Sequence, residues 1–387
     1  MPQHPQTIAI VGSLAYTILG FRGDLIKELV AAGHQVYTFA TDFNDKSRKA
    51  VIQLGAIPVD YQLGRFSLNP IAEIKTTLQL YRLFIQLKIT LTLCYFAKPV
   101  IYGTLAAWLA RVPFRIAKIE GLGRAFTIPA EGLSAKARLV RAIQVLLYRI
   151  SLPKADLVFL LNPEDAQDLI QRYKINVKRT CILNGIGVNL ARYPLLAPPE
   201  SPVRFIFVGR LLNEKGIRYF LRAAESIKAR FPEVEFVVLG EPDSGSHSLS
   251  RDELLDYVDR QVVYYPGRVP DVVPFLAQSG IFVLPSYYRE GVPRSTQEAM
   301  AVGRAIITTD MPGCRQTVVP NSNGFLVPAH DQEALELAML QFVYQPELIK
   351  KMGINSRLLA ESRFNVKTIN QKICQEIQSV VIDSDNS

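Results

Sequence analysis

Glu290 and Glu298 stand with seven residues between them in the stretch Tyr288-Arg289-Glu290-Gly291-Val292-Pro293-Arg294-Ser295-Thr296-Gln297-Glu298. Upstream, Gly209-Arg210-Leu211-Leu212-Asn213-Glu214-Lys215-Gly216 sets an arginine and a lysine five residues apart. Arginine offers a planar fork for phosphate oxygens, and lysine adds a point charge. The N–H groups of Gly291 and Val292, just ahead of a helix, suit a hydroxyl-rich or anionic ligand. Each residue also has an ordinary reading. Glu298 can be a solvated helix residue, and Arg210 and Lys215 solvated loop cations.

These side chains need strands to deliver them. Ile281-Phe282-Val283-Leu284-Pro285 is a near-continuous apolar run, the pattern of a buried parallel strand. Pro293 fits the first helical position, where its missing N–H costs nothing. Glu290 is therefore expected in a loop at a strand's carboxyl end, and Glu298 about a turn into the next helix. Arg204–Val208 repeats the arrangement ahead of Gly209. Further strands are expected at Thr7–Val11, Gln35–Ala40, Ala155–Leu161, Thr180–Leu183, Glu235–Leu239, Val262–Tyr265 and Ala305–Thr309. A helix around Asp24–Ala32 ends at Gly33. This βαβ rhythm implies parallel sheets with helices on both faces. The proline-rich segment Tyr193–Pro202 is the best linker between two such domains.

The two segments, in this order, resemble the retaining nucleotide-sugar glycosyltransferases of family 4, which have the GT-B fold. That resemblance implies two doubly wound Rossmann-like domains facing across a cleft. The first, residues 1–190, would bind the acceptor, and the second, residues 200–364, the donor. The C-terminal segment 365–387 would cross back to the first domain. In the family, a Gly-Arg-Leu…Lys-Gly segment binds the donor diphosphate, which implies Gly209, Arg210 and Lys215 here. The glutamate pair holds donor sugar (Glu290) and nucleotide ribose (Glu298), with Gly291 and Val292 assisting. Segments similar to Tyr264–Val272 contact the nucleobase, which implicates Arg268 and Val269. No confident nucleophile is visible, and front-face displacement is the expected route to retention.

In the first domain, Gly12-Ser13 and Leu19-Gly20-Phe21-Arg22 are read as bracketing the loop after the first strand, with Gly12 near the donor and Gly20 and Phe21 near the acceptor. Glu120-Gly121-Leu122-Gly123-Arg124 resembles the acceptor-side loop of bacterial members that build surface polysaccharides on polyprenyl-diphosphate lipids. Many relatives have histidine at the place of Glu120. Glu120 either binds a donor-sugar hydroxyl or orients the acceptor, or it is a paired loop carboxylate. Met311-Pro312-Gly313-Cys314-Arg315 lies just past a strand, but Gln316 stands where family members often have an acid.

Composition narrows the remaining choices. The chain has 387 residues, nearly half of them hydrophobic, and four cysteines without paired spacing, which fits a reducing cytoplasm. The net charge of +9 is unevenly spread, at +11 over residues 1–183 and −2 over the rest. Two basic, apolar segments, 71–93 and 133–152, lie in the charged half. An anionic membrane surface is the expected partner, placing the protein peripherally at the inner face of the plasma membrane. Nucleic acid is not expected, because no binding motif or aromatic–basic platform is present. Histidines 4, 34, 247 and 330 are dispersed, and the one Asp-x-Asp, Asp383-Ser384-Asp385, is in the polar tail. A metal-independent reaction without a cofactor follows, with a nucleoside-diphosphate sugar, most simply UDP-linked, as donor. The rivals are a nucleotide-sugar epimerase of the same fold, disfavoured by scarce histidine, and a non-catalytic nucleotide-sugar or lipid-binding subunit. A dinucleotide oxidoreductase would need a Gly-x-Gly-x-x-Gly after the first strand, and none is there.

Overall fold

The computed structural model describes residues 5–64, 69–243 and 248–385. His4, His247 and the side chains of Asp383 and Asp385 lie outside the described residues. The chain divides into two compact units, one comprising Met1–Leu122, Lys136–Leu183 and Lys367–Ser387, the other Gly123–Ala135 and Asn184–Val366.

The first unit holds seven strands: β1 (Thr7–Val11), β2 (Gln35–Ala40), β3 (Ile57–Asp60), β4 (Leu91–Tyr95), β5 (Phe114–Ile119), β6 (Leu157–Leu160) and β7 (Thr180–Ile182). They pair in the order β3-β2-β1-β4-β5-β6-β7, every neighbour parallel. All five residues of β4 and all four of β6 are buried, as unbroken apolar runs in a parallel sheet require. Strand order reverses between β1 and β4, the switch point outside which such sheets bind ligands. The last helix, Val366–Asp385, belongs to this unit from Lys367 onward: Asn370 Nδ2 donates to Glu28 Oε1 at 3.1 Å and Lys372 Nζ to the Ile182 carbonyl at 2.7 Å.

The second unit holds β8 (Arg204–Val208), β9 (Glu235–Leu239), β10 (Tyr264–Gly267), β11 (Ile281–Leu284), β12 (Ala305–Thr309) and β13 (Gly324–Val327). Their order is β10-β9-β8-β11-β12-β13, again all parallel, with the switch point between β8 and β11.

Three expectations need correction. Gly20 and Phe21 are not in a loop, because one helix runs from Ala15 to Ala31. It begins directly after the short turn Gly12-Ser13-Leu14. It ends where Gly33 N–H reaches the Val30 carbonyl at 2.9 Å and His34 N–H the Leu29 carbonyl at 3.1 Å, a Schellman closure. Tyr193–Pro202 is not the linker; it packs inside the second unit, with Leu196 N–H on the Val302 carbonyl at 3.1 Å and buried Arg304 donating to the Leu196 carbonyl. Residues 123–135, expected in the first domain, group with the second unit, because Gly123 N–H donates to the Arg289 carbonyl at 3.1 Å and Arg289 N–H to Thr127 Oγ1 at 3.0 Å.

The Gly20 correction has a measurable consequence. A methyl group there would meet nothing within 4 Å. Gly20→Ala should raise stability by about 0.5–1 kcal/mol, the helix-interior difference between the two residues. The urea midpoint should rise with an unchanged m-value; a fall would mean that the glycine conformation matters.

Candidate active site

The loops after β8 and β11 leave neighbouring strands at the second switch point, and backbone bonds stitch them together. The Glu214 carbonyl accepts the N–H groups of both Tyr287 and Tyr288, each at 2.9 Å. Glu214 belongs to a short turn, Asn213–Lys215, that precedes the helix Ile217–Arg230. The stitching carries Lys215 to Glu290: Nζ lies 2.8 Å from Oε1, and each side chain is less than 15 % exposed. Ser286 Oγ also approaches the same carboxylate oxygen, at 3.5 Å.

Arg210 stands in the β8 loop with its guanidinium 2.8 Å from Asp243 Oδ2. Burial opposes its charge, but Tyr288, Asp243 and Glu290 outweigh that and raise its pKa. Burial likewise pushes the Tyr288 phenol up, against the pull of Arg210. Arg210, Lys215 and Glu290 therefore share one electrostatic neighbourhood, completed by Asp243 and Tyr288. Gly209 lies beneath them, where a Cβ would touch Lys215 Cδ at 3.5 Å.

Glu298 lies in the helix Arg294–Val302, whose cap is Pro293, one position earlier than expected. Its Oε1 accepts Tyr193 Oη at 2.7 Å and Arg294 Nε at 2.9 Å. Burial and then Glu298 itself raise the Tyr193 pKa, which keeps that phenol a donor. Buried Gln297 holds the helix start, giving Nε2–H to the Val292 carbonyl at 3.1 Å while accepting Gly187 N–H at 3.1 Å. Gly291 and Val292 are buried under this turn. Arg268 and Val269 follow edge strand β10, two strands away from β8. Arg124, expected on the acceptor side of the first domain, is instead in the second unit, with Nε 3.3 Å from Glu214 Oε1.

The first unit builds a separate cluster at the carboxyl ends of β1, β4 and β5. The Glu120 carboxylate takes Arg22 and, at 3.2 Å, Lys118 Nζ; all three side chains are nearly solvent-free. Arg22 also lies over the Tyr95 ring, 4.5 Å from its centroid. Burial, and next the charge of Arg22, depress the Lys118 pKa well below that of a free lysine. Glu120 is thus a paired carboxylate within its own unit, followed by Gly121 at φ +106°. Gly12, directly after β1, is where a Cβ would sit 2.0 Å from Tyr95 Oη, so packing alone demands glycine.

Sequence reasoning missed Asp243, Lys118 and Tyr193. Two signals were available: an aspartate just past β9, and a lysine inside the apolar run Ile116-Ala117-Lys118-Ile119, whose charge is costly to bury without a carboxylate. Tyr193 had none, since only the fold brings it to Glu298.

Known proteins place this architecture. Residues 195–359 match the family model described as Glycosyl transferases group 1, and residues 23–190 the one described as Glycosyltransferase Family 4. N,N'-diacetylbacillosaminyl-diphospho-undecaprenol alpha-1,3-N-acetylgalactosaminyltransferase of Campylobacter jejuni is 29 % identical over 324 residues, covering 80 % of this chain and 82 % of its own. UDP-Gal:alpha-D-GlcNAc-diphosphoundecaprenol alpha-1,3-galactosyltransferase of Escherichia coli is 24 % identical over 313 residues, 78 % of each chain. Among solved structures, sucrose-phosphate synthase from Thermosynechococcus elongatus superposes with a TM-score of 0.78 at 20 % identity, covering 98 % of this chain and 100 % of that one. The paired parallel-sheet units and the two adjoining family matches agree: this chain belongs to glycosyltransferase family 4 and has the GT-B fold.

Proposed function

We propose that this glycosyltransferase moves a hexose or N-acetylhexosamine from a UDP-linked donor to a lipid-linked saccharide in cell-surface polysaccharide synthesis, with retention of configuration and without a metal ion. The observation that carries the reading is the Arg210–Lys215–Glu290 group at the carboxyl ends of β8 and β11. In sugar transfer the departing diphosphate takes up negative charge, and preorganised cations beside it lower the barrier. Arg210 and Lys215 would supply that charge, and the diphosphate would compete with Asp243 and Glu290 for them. Glu290 would accept donor-sugar hydroxyls, and Glu298 would accept ribose hydroxyls. With no nucleophile assigned, the leaving phosphate takes the acceptor proton on the front face. The C. jejuni and E. coli relatives, whose names specify diphospho-undecaprenol-linked substrates, support the choice of acceptor.

Among the described residues no helix is long and apolar enough to cross a membrane. Contact with a lipid-linked acceptor would then be peripheral, at the inner face of the plasma membrane.

Incubation with a panel of UDP- and GDP-sugars and a polyprenyl-diphosphate-linked monosaccharide tests the proposal. The expected product carries the sugar on the lipid with the donor's anomeric configuration, undiminished by EDTA. An inverted linkage, an epimerised free nucleotide sugar, or no turnover with any pair would overturn it.

The two glutamates separate by ligand. Glu298→Gln should weaken binding of free UDP about tenfold or more, the scale for losing a hydrogen bond to a charged group. Glu290→Gln should leave UDP binding near normal and weaken binding of the intact donor. Calorimetry with both ligands checks this, and wild-type binding of both by both variants would make the pair structural.

A further inference from the structure

In the first unit, an apolar cavity of about 400 Å³ opens between the helices Pro70–Gln86, Thr104–Leu109 and Ala135–Ser151. Its walls include Ile74, Leu78, Leu105, Trp108, Leu109 and Leu147. The one carboxylate on the wall, Glu73, is paired with Lys98 and carries no free charge into the space. The volume is that of an ordinary small-molecule site. None of the sugar-transfer residues belongs to it.

The surface around the cavity is equally apolar. On Ala135–Ser151, residues Leu139, Ile143, Leu146 and Ile150 recur at steps of four, three and four, one face of a helix. That face is exposed, while Val145 and Tyr148 bury the other side. Ile71, Ile74, Leu78 and Ile85 make a second exposed stripe on Pro70–Gln86, with Trp108 and Leu109 on the third helix. These ten side chains are between 43 % and 64 % exposed. A single exposed leucine needs no explanation, but adjoining stripes at helical spacing around a cavity mark an interaction surface.

Charge identifies the occupant. The helix Ala135–Ser151 contains no acidic residue and carries Lys136, Arg138 and Arg149 beside its stripe. Pro70–Gln86 adds Lys75 and Arg82, with Glu73 its one acid. Lys154 Nζ stands 4.5 Å from the centre of the Trp108 ring. Apolar side chains flanked by long basic ones match a bilayer: the first enter the hydrocarbon, the second reach anionic headgroups. We propose that this face docks on an anionic phospholipid bilayer and that the cavity receives one of its hydrocarbon chains. The inference deepens the peripheral location proposed above and rests on that reading. It replaces contact by charge alone with insertion of the Leu139–Ile150 and Ile71–Ile85 stripes.

Trp108 is the only tryptophan in the chain and reports directly on the cavity. The experiment mixes the full protein with vesicles of phosphatidylglycerol and phosphatidylcholine, or of phosphatidylcholine alone, without donor or acceptor. Anionic vesicles should shift Trp108 emission to the blue. Phosphatidylcholine brominated on its chains, included in those vesicles, should quench the emission at least twofold. Exchange of Ile143 and Leu146 for serine, both at exposed positions, should weaken vesicle binding on the order of tenfold by removing buried apolar area. Unchanged emission, or vesicle binding without quenching by the chain-brominated lipid, would overturn the proposal. So would a blue shift on raising protein concentration alone that vesicles do not compete away, since a second copy would then cover the face. Sugar transfer to a water-soluble acceptor analogue is measured separately, so loss of the catalytic reading would leave the vesicle result standing.

Discussion

Lys215→Ala and Arg210→Ala should each lower kcat on the order of a hundredfold or more, the scale for removing one donor to charge that develops in the transition state. The two residues fail differently. Arg210 is 40 % exposed beside Asp243, so its loss should hardly alter the melting temperature. Lys215 and Glu290 are both largely buried, and Lys215→Ala leaves a carboxylate without its partner. That variant should lose stability as well as turnover. The double change Lys215→Ala with Glu290→Gln separates the effects, because it removes the orphaned charge and should recover melting temperature without recovering kcat. Near-normal turnover in a folded Arg210 or Lys215 variant would reject the role of that residue.

What the chain reveals before folding follows from whether an element's energetics are local. Thr7–Val11, Gln35–Ala40, Arg204–Val208, Glu235–Leu239 and Ala305–Thr309 are strands with the expected bounds, because buried parallel strands are written as apolar runs. The edge strand β10 begins at Tyr264, not Val262. It pairs irregularly with β9, and Val262 and Val263 are buried without joining the ladder. The helix Ala15–Ala31 was legible in its second half only, since Leu14 supplies no capping side chain to mark the start and Gly20 reads as a breaker. Nothing local places residues 123–135 with the second unit, because backbone bonds to Arg289 from more than 160 residues away do so.

The same division runs through the site. Lys215 and Glu290 each follow an apolar strand, and their meeting depends only on β8 and β11 being neighbours at the switch point. The partners Asp243 and Lys118 leave only a local trace, an acid past β9 and a lysine in an apolar run, and Tyr193 leaves none, because loop closure between distant segments makes these pairs. Glu120 shows how far position alone reaches. A loop acid at that place is open to substrate contact or to ion pairing, and the structure shows the pairing, with Arg22 from the first helix and Lys118 from β5.

Gly313→Ala should be nearly as damaging to activity as losing Lys215, although residue 313 has no functional side chain. Gly313 has φ +81°, a conformation costing other residues roughly 1–2 kcal/mol. Its Cβ would lie 2.4 Å from the Gly291 carbonyl oxygen and 2.5 Å from that of Glu290. Those atoms are backbone, so the clash cannot be relieved by turning a side chain. The Glu290–Gly291 loop must shift instead, and the Glu290 carboxylate moves away from Lys215. A displacement of about 1 Å in a positioned group can cost on the order of a hundredfold in rate. Overpacking and backbone strain together should also lower stability by about 1–3 kcal/mol. The paired comparison is Gly20→Ala, which adds the same methyl group in open space and should shift stability the other way. Steady-state kinetics and urea denaturation on both variants decide the matter. Wild-type kcat/KM in Gly313→Ala would mean that the β11 loop is not braced from below. The Lys215–Glu290 geometry would then have to be held by the Glu214 carbonyl, with its bonds to Tyr287 and Tyr288, and by Ser286.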